Sequence, residues 1–275
     1  EEMLHAESKQ NSEFDKKLAQ EEKWIRQGIK ARRTRNEGRV RALESLRVER
    51  MQRREIQGRA DFNLNEAARS GALVFDVKNI SHAFDGKAIV KNFSMRVMRG
   101  DRIGLIGPNG VGKSTFLNLL LGNLQPDQGE VVQGTRLQIA YFDQLRQTLD
   151  PEKTVMDNVA GGRDFIEIND RKIHIISYLT DFLFTPQRTM TPVKALSGGE
   201  CNRLLLAKLF SQPSNLLVMD EPTNDLDIET LELLEELLSQ YSGTLLLVSH
   251  DRAFLDDVVT SVLVFEGNGK ITEYI

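Results

Sequence analysis

One cysteine, Cys201, one tryptophan, Trp24, and no proline ahead of Pro108 set the first limits on this 275-residue chain. A single thiol can form neither an internal disulfide nor, alone, a zinc site, and it predicts a reducing, cytoplasmic setting. Apolar runs such as Leu204 to Ala207 or Leu245 to Val248 fall far short of the roughly 18 residues a membrane helix needs, which excludes an α-helical span. The chain starts at Glu1 without an initiator Met or an apolar signal segment, so a piece of a longer protein is expected. Disorder throughout is excluded as well, because 40% hydrophobic residues and 13 Phe can fill a large core.

Acidic excess is slight, a net charge of -4, and it hides an uneven split. Residues 1–70 carry 17 Lys and Arg against 13 Asp and Glu, and from Lys23 to Arg59 the count is 13 against 4. Within this stretch Leu18, Ile25, Val40, Leu43, Leu46 and Met51 are sparse and spaced as on a narrow helical seam. Two helices forming a hairpin are predicted over residues 1–70. Gly28 and Gly38 bracket its turn, where Lys30, Arg32, Arg33 and Arg35 would make a basic tip with Trp24 just before it. A merely solvated, salt-bridged face would carry its own acidic partners; this one lacks them, so a polyanion is the expected partner.

From about Gly71 strands and helices alternate, which predicts an α/β cassette over residues 71–275. Phe93, Met95 and Val97 alternate with Asn92, Ser94 and Arg96, the pattern of a half-buried strand. Leu216 to Met219 and Leu245 to Val248 are bare apolar runs, as in central strands covered on both faces. Between them Ile228, Leu231, Leu234, Leu237 and Leu238 have the 3 and 4 spacing of a crossover helix, so the two strands should pair in parallel.

The chemistry begins at Gly107-Pro-Asn-Gly-Val-Gly-Lys-Ser-Thr115, a G-x-x-x-x-G-K-[ST] loop placed after a strand and before a helical run. Glycines such as Gly107, Gly110 and Gly112 let backbone N–H groups, with Asn109 and Thr115 in the same loop, converge on an anion, and the helix that follows adds its positive end. Lys113 is expected to bridge the β- and γ-phosphates, and the Ser114 hydroxyl to ligate Mg²⁺. The strand Leu216 to Asp220 then delivers two carboxylates at its end: Asp220 for the metal, and Glu221 to orient and polarise an attacking water. A nucleoside triphosphate with Mg²⁺ is the predicted ligand.

Leu196-Ser-Gly-Gly-Glu200 opens a helix through Arg203 to Leu209. With the two motifs above it resembles the ATP-binding cassette superfamily, whose signature reads LSGGQ or LSGGE. The resemblance implies a mixed-sheet core, a helical subdomain at roughly residues 145–200, and ATP hydrolysis. It implies that Gln144, in Tyr141-Phe-Asp-Gln144, touches Mg²⁺ and the lytic water, that Asp227 is the D-loop aspartate, and that His250 is the switch histidine at the γ-phosphate. Phe84 stands where the family stacks an aromatic on adenine. Ser197, Gly198 and Gly199 would cap the ATP held by another cassette's phosphate loop, so a second cassette is needed, either another half of a longer protein or a second copy. His5, His82 and His174 carry no assigned role, and Cys201, with no base near it in sequence, is expected to be a small helix-face residue rather than a nucleophile.

Within the superfamily, the 84 positions between Lys113 and Ser197 leave no room for the long coiled coil of chromosome-maintenance ATPases, and a transporter subunit would not explain the basic arm. The chain is similar to the ABC-F group, which joins two cassettes by a basic helical linker. That resemblance implies action on the ribosome, with the linker tip approaching tRNA and rRNA, in translation or ribosome assembly. A DNA-binding ATPase acting on branched DNA in repair or transposon excision stays open beside it.

Overall fold

The computed structural model describes residues 62, 64, 65, 67, 70–142, 145, 148–224 and 226–274. Residues 1–61 of the predicted arm, with its basic tip, lie outside these residues, and so does Gln144.

Alternation sets the first layer. Strands β1 (Leu73–Phe84) and β2 (Lys87–Met98) form an antiparallel hairpin, and Asp85 and Gly86 close it in the left-handed region at φ 48 and 75, as a two-residue turn of matching twist requires. Met95 and Val97 are buried while Asn92, Ser94 and Arg96 face water, as the sequence pattern predicts. After β3 (Arg102–Ile106) and helix α1 (Lys113–Leu120), strand β4 (Gln128–Gln133) pairs with the other edge of β1.

Strand β5 (Ile139–Tyr141) leads to a mostly helical region: α2 (Val155–Ala160), α3 (Ile175–Asp181), α4 (Pro186–Thr189) and a 3-10 turn at Val193–Ala195. This region is not purely helical. Between α2 and α3 lies a hairpin of β6 (Phe165–Ile168) and β7 (Arg171–His174), turned by Asn169 and Asp170 at φ 50 and 61. Its cause is local: Ile166 and Ile168 point inward while Phe165 and Glu167 point out, a period of two that no helix can use.

Helix α5 (Gly198–Ser211), strand β8 (Leu216–Asp220), helix α6 (Ile228–Gln240), strand β9 (Thr244–Val248), helix α7 (Arg252–Val258) and strands β10 (Ser261–Gly267) and β11 (Lys270–Tyr274) complete the chain. The main sheet runs β11-β10-β3-β9-β8-β5, parallel except where β11 pairs with β10. It divides the apolar residues by parity. Leu216, Val218, Leu246 and Val248 pack with α1 and the antiparallel sheet, while Leu217, Met219, Leu245 and Leu247 pack with α5, α6 and the helical region. Both faces are thus covered, which is why β8 and β9 read as unbroken apolar runs.

Two expectations need correction. Ile228 does not belong to the buried stripe of α6 and is 77% exposed. It is the first helical residue after the Asp227 cap, and the stripe facing the sheet is Thr230, Leu233, Leu234, Leu237 and Leu238. The cassette also begins before residue 71, because the compact unit starts at Phe62. Leu64 is buried in the core beneath α5, and Asn65 donates from its backbone to the Phe210 carbonyl (3.0 Å) and from its side chain to those of Ser211 (2.8 Å) and Glu167 (3.1 Å).

Candidate functional site

Strand register builds the site. Val248 pairs with Leu105 on one side and Asp220 on the other, so the loops leaving β3, β8 and β9 emerge together at the carboxyl edge of the sheet, where α/β folds gather ligand groups. A cleft of about 680 Å³ opens there, walled by Phe84, Asn109, Gly110, Gly112, Lys113, Ser114, Thr115, Asp220 and Glu221.

The loop from Gly107 to Gly112 curls around the Lys113 ammonium, which donates to the Gly107 carbonyl at 2.7 Å. Gly112 caps α1 at φ 110, and a Cβ built on it would collide with Ile89. Both the angle and the crowding demand glycine. The turn leaves the first N–H groups of α1 facing the cleft without helical partners, a seat for an anion. Ser114, on the same turn, donates to Asp220 Oδ2 at 2.6 Å. A hydroxyl and a carboxylate held this close are oxygen ligands of the kind Mg²⁺ takes beside substrate phosphates, so the residues present fit that ion.

Glu221 follows in an unusual conformation. Its φ is 50, and its N–H donates to the Val248 carbonyl at 2.9 Å, extending the β8–β9 ladder by one bond. A non-glycine residue in this region is uncommon and concentrates at functional sites. Both of its carboxylate oxygens are buried without a hydrogen bond among the described residues. His250 stands nearest, Nε2 at 3.2 Å from Glu221 Oε1, 2.7 Å from Asn109 Oδ1 and 3.4 Å from Lys113 Nζ. One ring nitrogen cannot donate to the Asn109 oxygen and accept from the ammonium at once, so these approaches belong to different tautomers. The histidine therefore spans the phosphate loop and the acidic strand end.

Phe84, at the end of β1, is 61% exposed and forms one wall of the cleft. Its ring is available for stacking rather than for the core. Asp85, Lys87 and Ile89 line the same wall, and the Lys87 ammonium donates to the Gly110 carbonyl at 3.2 Å. Sequence reasoning missed these three. The Asp85-Gly86 dipeptide between two alternating runs is the signal that would have folded them back toward the phosphate loop.

Ser197, Gly198, Gly199 and Asp227 form a separate group, outside the lining of that cleft. Ser197 caps α5 and accepts from the Glu200 N–H at 3.3 Å, while Glu200 accepts from the Ser197 N–H at 2.8 Å, a complete capping box. Ser197 and Gly198 are exposed. Asp227 caps α6 through Thr230 N–H (2.8 Å), and its other oxygen lies 3.7 Å from Arg203 and fills the space a Cβ on Gly199 would take. A side chain at Gly199 would strike that carboxylate. Burial and the neighbouring Glu200 charge push the Cys201 thiol up, away from the thiolate a nucleophile needs.

Residues 90–224 match the ABC transporter family. The whole chain is 62% identical to the ATP-binding protein Uup of Escherichia coli (strain K12), covering 43% of that protein. Over 267 residues, 97% of the chain, it is 36% identical to the energy-dependent translational throttle protein EttA of Mycobacterium tuberculosis (strain CDC 1551 / Oshkosh), covering 48% of it. The chain thus spans about half the length of these relatives or less. In three dimensions it resembles an ATP-binding cassette dimer solved in a post-hydrolysis state with ADP and phosphate, at a TM-score of 0.55 and 21% identity over 73% of this chain and 97% of that one. By these matches residues 90–224 carry an ABC transporter family domain, and the described part has the fold of an ATP-binding cassette.

Proposed function

We propose that the chain is one half of a two-cassette ABC-F ATPase, akin to Uup and EttA, in which ATP draws two cassettes together and hydrolysis to ADP and phosphate releases them. One observation carries this reading: the phosphate cradle and the serine-capped turn are both built, yet Ser197 to Gly199 do not line the cleft of their own chain. Two half-sites that stand apart within one protomer call for a partner cassette. The partner is the other half of the full-length protein or, for this chain alone, a second copy.

In the joined site Lys113 and the loop amides hold the β- and γ-phosphates, and Phe84 stacks on adenine. Ser114 and Asp220, and by the family resemblance Gln144, would hold Mg²⁺, which neutralises phosphate charge. Glu221 orients the attacking water and takes up its proton, and His250 steadies the γ-phosphate end through Asn109. Asp227 fixes the approach of the signature turn. Closure is a two-state element, and ATP biases it through interactions made only when closed.

Phe84 supplies a clean check of the base pocket. Because the ring is exposed, Phe84→Ala should leave the melting temperature unchanged while weakening ATP binding by about 1–3 kcal/mol, the usual worth of a base stacked on an aromatic ring; Phe84→Tyr should bind as the parent does. Equal affinity for the alanine variant, measured by titration calorimetry, would remove Phe84 from the site.

The basic arm would carry the output to RNA on the ribosome, with tRNA and rRNA as the polyanions and translation or ribosome assembly as the process served. Reversing Arg32, Arg33 and Arg35 to Glu should weaken ribosome binding and flatten its salt dependence, by up to about 0.9 in log–log slope for each duplex phosphate the arm no longer neutralises. An unchanged slope would return the arm to a solvated face. A cytoplasmic setting belongs to this reading, because the ribosome is its target; no helix among the described residues is long and apolar enough to cross a membrane. The deciding experiment is co-sedimentation of the full-length Glu221→Gln protein with ribosomes, with and without ATP. ATP-dependent pelleting supports the ribosomal reading, and its disappearance on adding a branched DNA competitor would favour action on DNA instead.

A further inference from the structure

Glu200 poses an electrostatic problem. A carboxylate in the first turn of α5 suits the helix dipole, but it also places a negative charge beside the turn that, on the reading above, must receive a phosphate. The structure contains an answer that no family motif marks. Arg188, in the last turn of α4, donates from Nε to Glu200 Oε1 at 2.6 Å and from Nη2 to Oε2 at 2.8 Å, and Nη2 reaches the Ala195 carbonyl at 3.1 Å. This is the two-pronged geometry a guanidinium makes with a carboxylate and an ammonium cannot. The fork, helped by the Ser197 N–H, holds the Glu200 carboxyl at about 2, well below its ordinary value. The side chains are sheltered, Glu200 at 16% exposure and Arg188 at 37%, so solvent screens the pair only in part.

We propose that Arg188 is a positioning residue for the signature turn: it locks Glu200 into the capping box and cancels its charge, so that Ser197 to Gly199 present a neutral helix end to the partner cassette's triphosphate. This proposal rests on the two-cassette reading. α4 belongs to the helical region, whereas α5 packs against the main sheet, so the clasp also ties the signature turn to the helical region.

Steady-state ATPase kinetics of the full-length protein test it. An uncompensated charge within several ångström of the bound phosphate opposes binding in the ground state and the transition state alike, so Arg188→Gln should raise KM for ATP roughly tenfold while kcat changes little. Arg188→Lys, which keeps the charge and removes the fork, should raise KM by less than about threefold on the same grounds. The double variant Arg188→Gln/Glu200→Gln should bring KM most of the way back, because glutamine can still close the capping box but brings no charge. A clasp that served stability alone would predict the reverse, with the double variant no better than the single one. Unchanged KM in Arg188→Gln, a fall in kcat without a rise in KM, or a double variant as impaired as the single would each overturn the proposal. A wild-type protein that does not turn over ATP would overturn the two-cassette reading and this proposal together.

Discussion

Glu221→Gln in the full-length protein is expected to bind ATP with the parent's affinity and to hydrolyse it at least about 10²-fold more slowly, the range that general-base assistance supplies. The structure makes this substitution unusually informative. Both carboxylate oxygens are buried and accept no hydrogen bond among the described residues, so an amide of the same shape gives up only the 3.2 Å approach of His250 Nε2 to Oε1. The left-handed backbone at φ 50 and the N–H bond to Val248 are main-chain features, which glutamine keeps. What changes is the capacity to take a proton from water beside Asp220, together with one negative charge near the Lys113 ammonium. Removing that charge should, if anything, favour a bound polyphosphate. The protein should therefore collect in its closed, ATP-loaded form, visible as a shift in sedimentation or light scattering that persists as long as ATP does. Wild-type turnover in this variant would end the assignment of Glu221 as base.

Gly112→Ala should do comparable damage by a different route. At φ 110 an L-residue carries a strain of about 1–3 kcal/mol, and the added methyl would sit within the Ile89 side chain, an overpacking that costs about 1–3 kcal/mol more. The loop can relieve both only by turning its N–H groups away from their point of convergence. ATP affinity should then fall by about 10²-fold or more, with a lower melting temperature. Adding Ile89→Ala separates the two causes: it clears the collision but leaves the dihedral angle, so it should restore part of the stability and little of the binding. Full recovery of binding in that pair would show that crowding, not backbone conformation, fixes the glycine.

Much of this site could be found without coordinates because its residues lie in short, ordered runs. The phosphate loop, the acidic strand end and the signature each occupy a few consecutive positions whose spacing is set by backbone geometry, and Leu216 to Met219 and Leu245 to Val248 announce strands covered on both faces. What escaped notice depends on distant pairs. Nothing around Arg188 hints that it meets Glu200, because the two belong to different helices and only the packing of the helical region aligns them. Lys87 and Ile89 reach the loop only after a hairpin turn folds them back. Ile228 misled because a spacing of 3 and 4 cannot tell where a helix begins, and the Asp227 cap starts it with that side chain in water. The β6–β7 hairpin was concealed by its neighbours, since four-residue strands between helices give periodicity too little length to register.

The segment ahead of Gly71 has a practical corollary for anyone who wishes to express the ATPase by itself. A gene cut at residue 71 would discard Leu64 and the amide of Asn65, unroofing the apolar seat under the tail of α5 and orphaning the carbonyls of Phe210 and Ser211. The natural place for the scissors is upstream of Phe62, where the compact body begins.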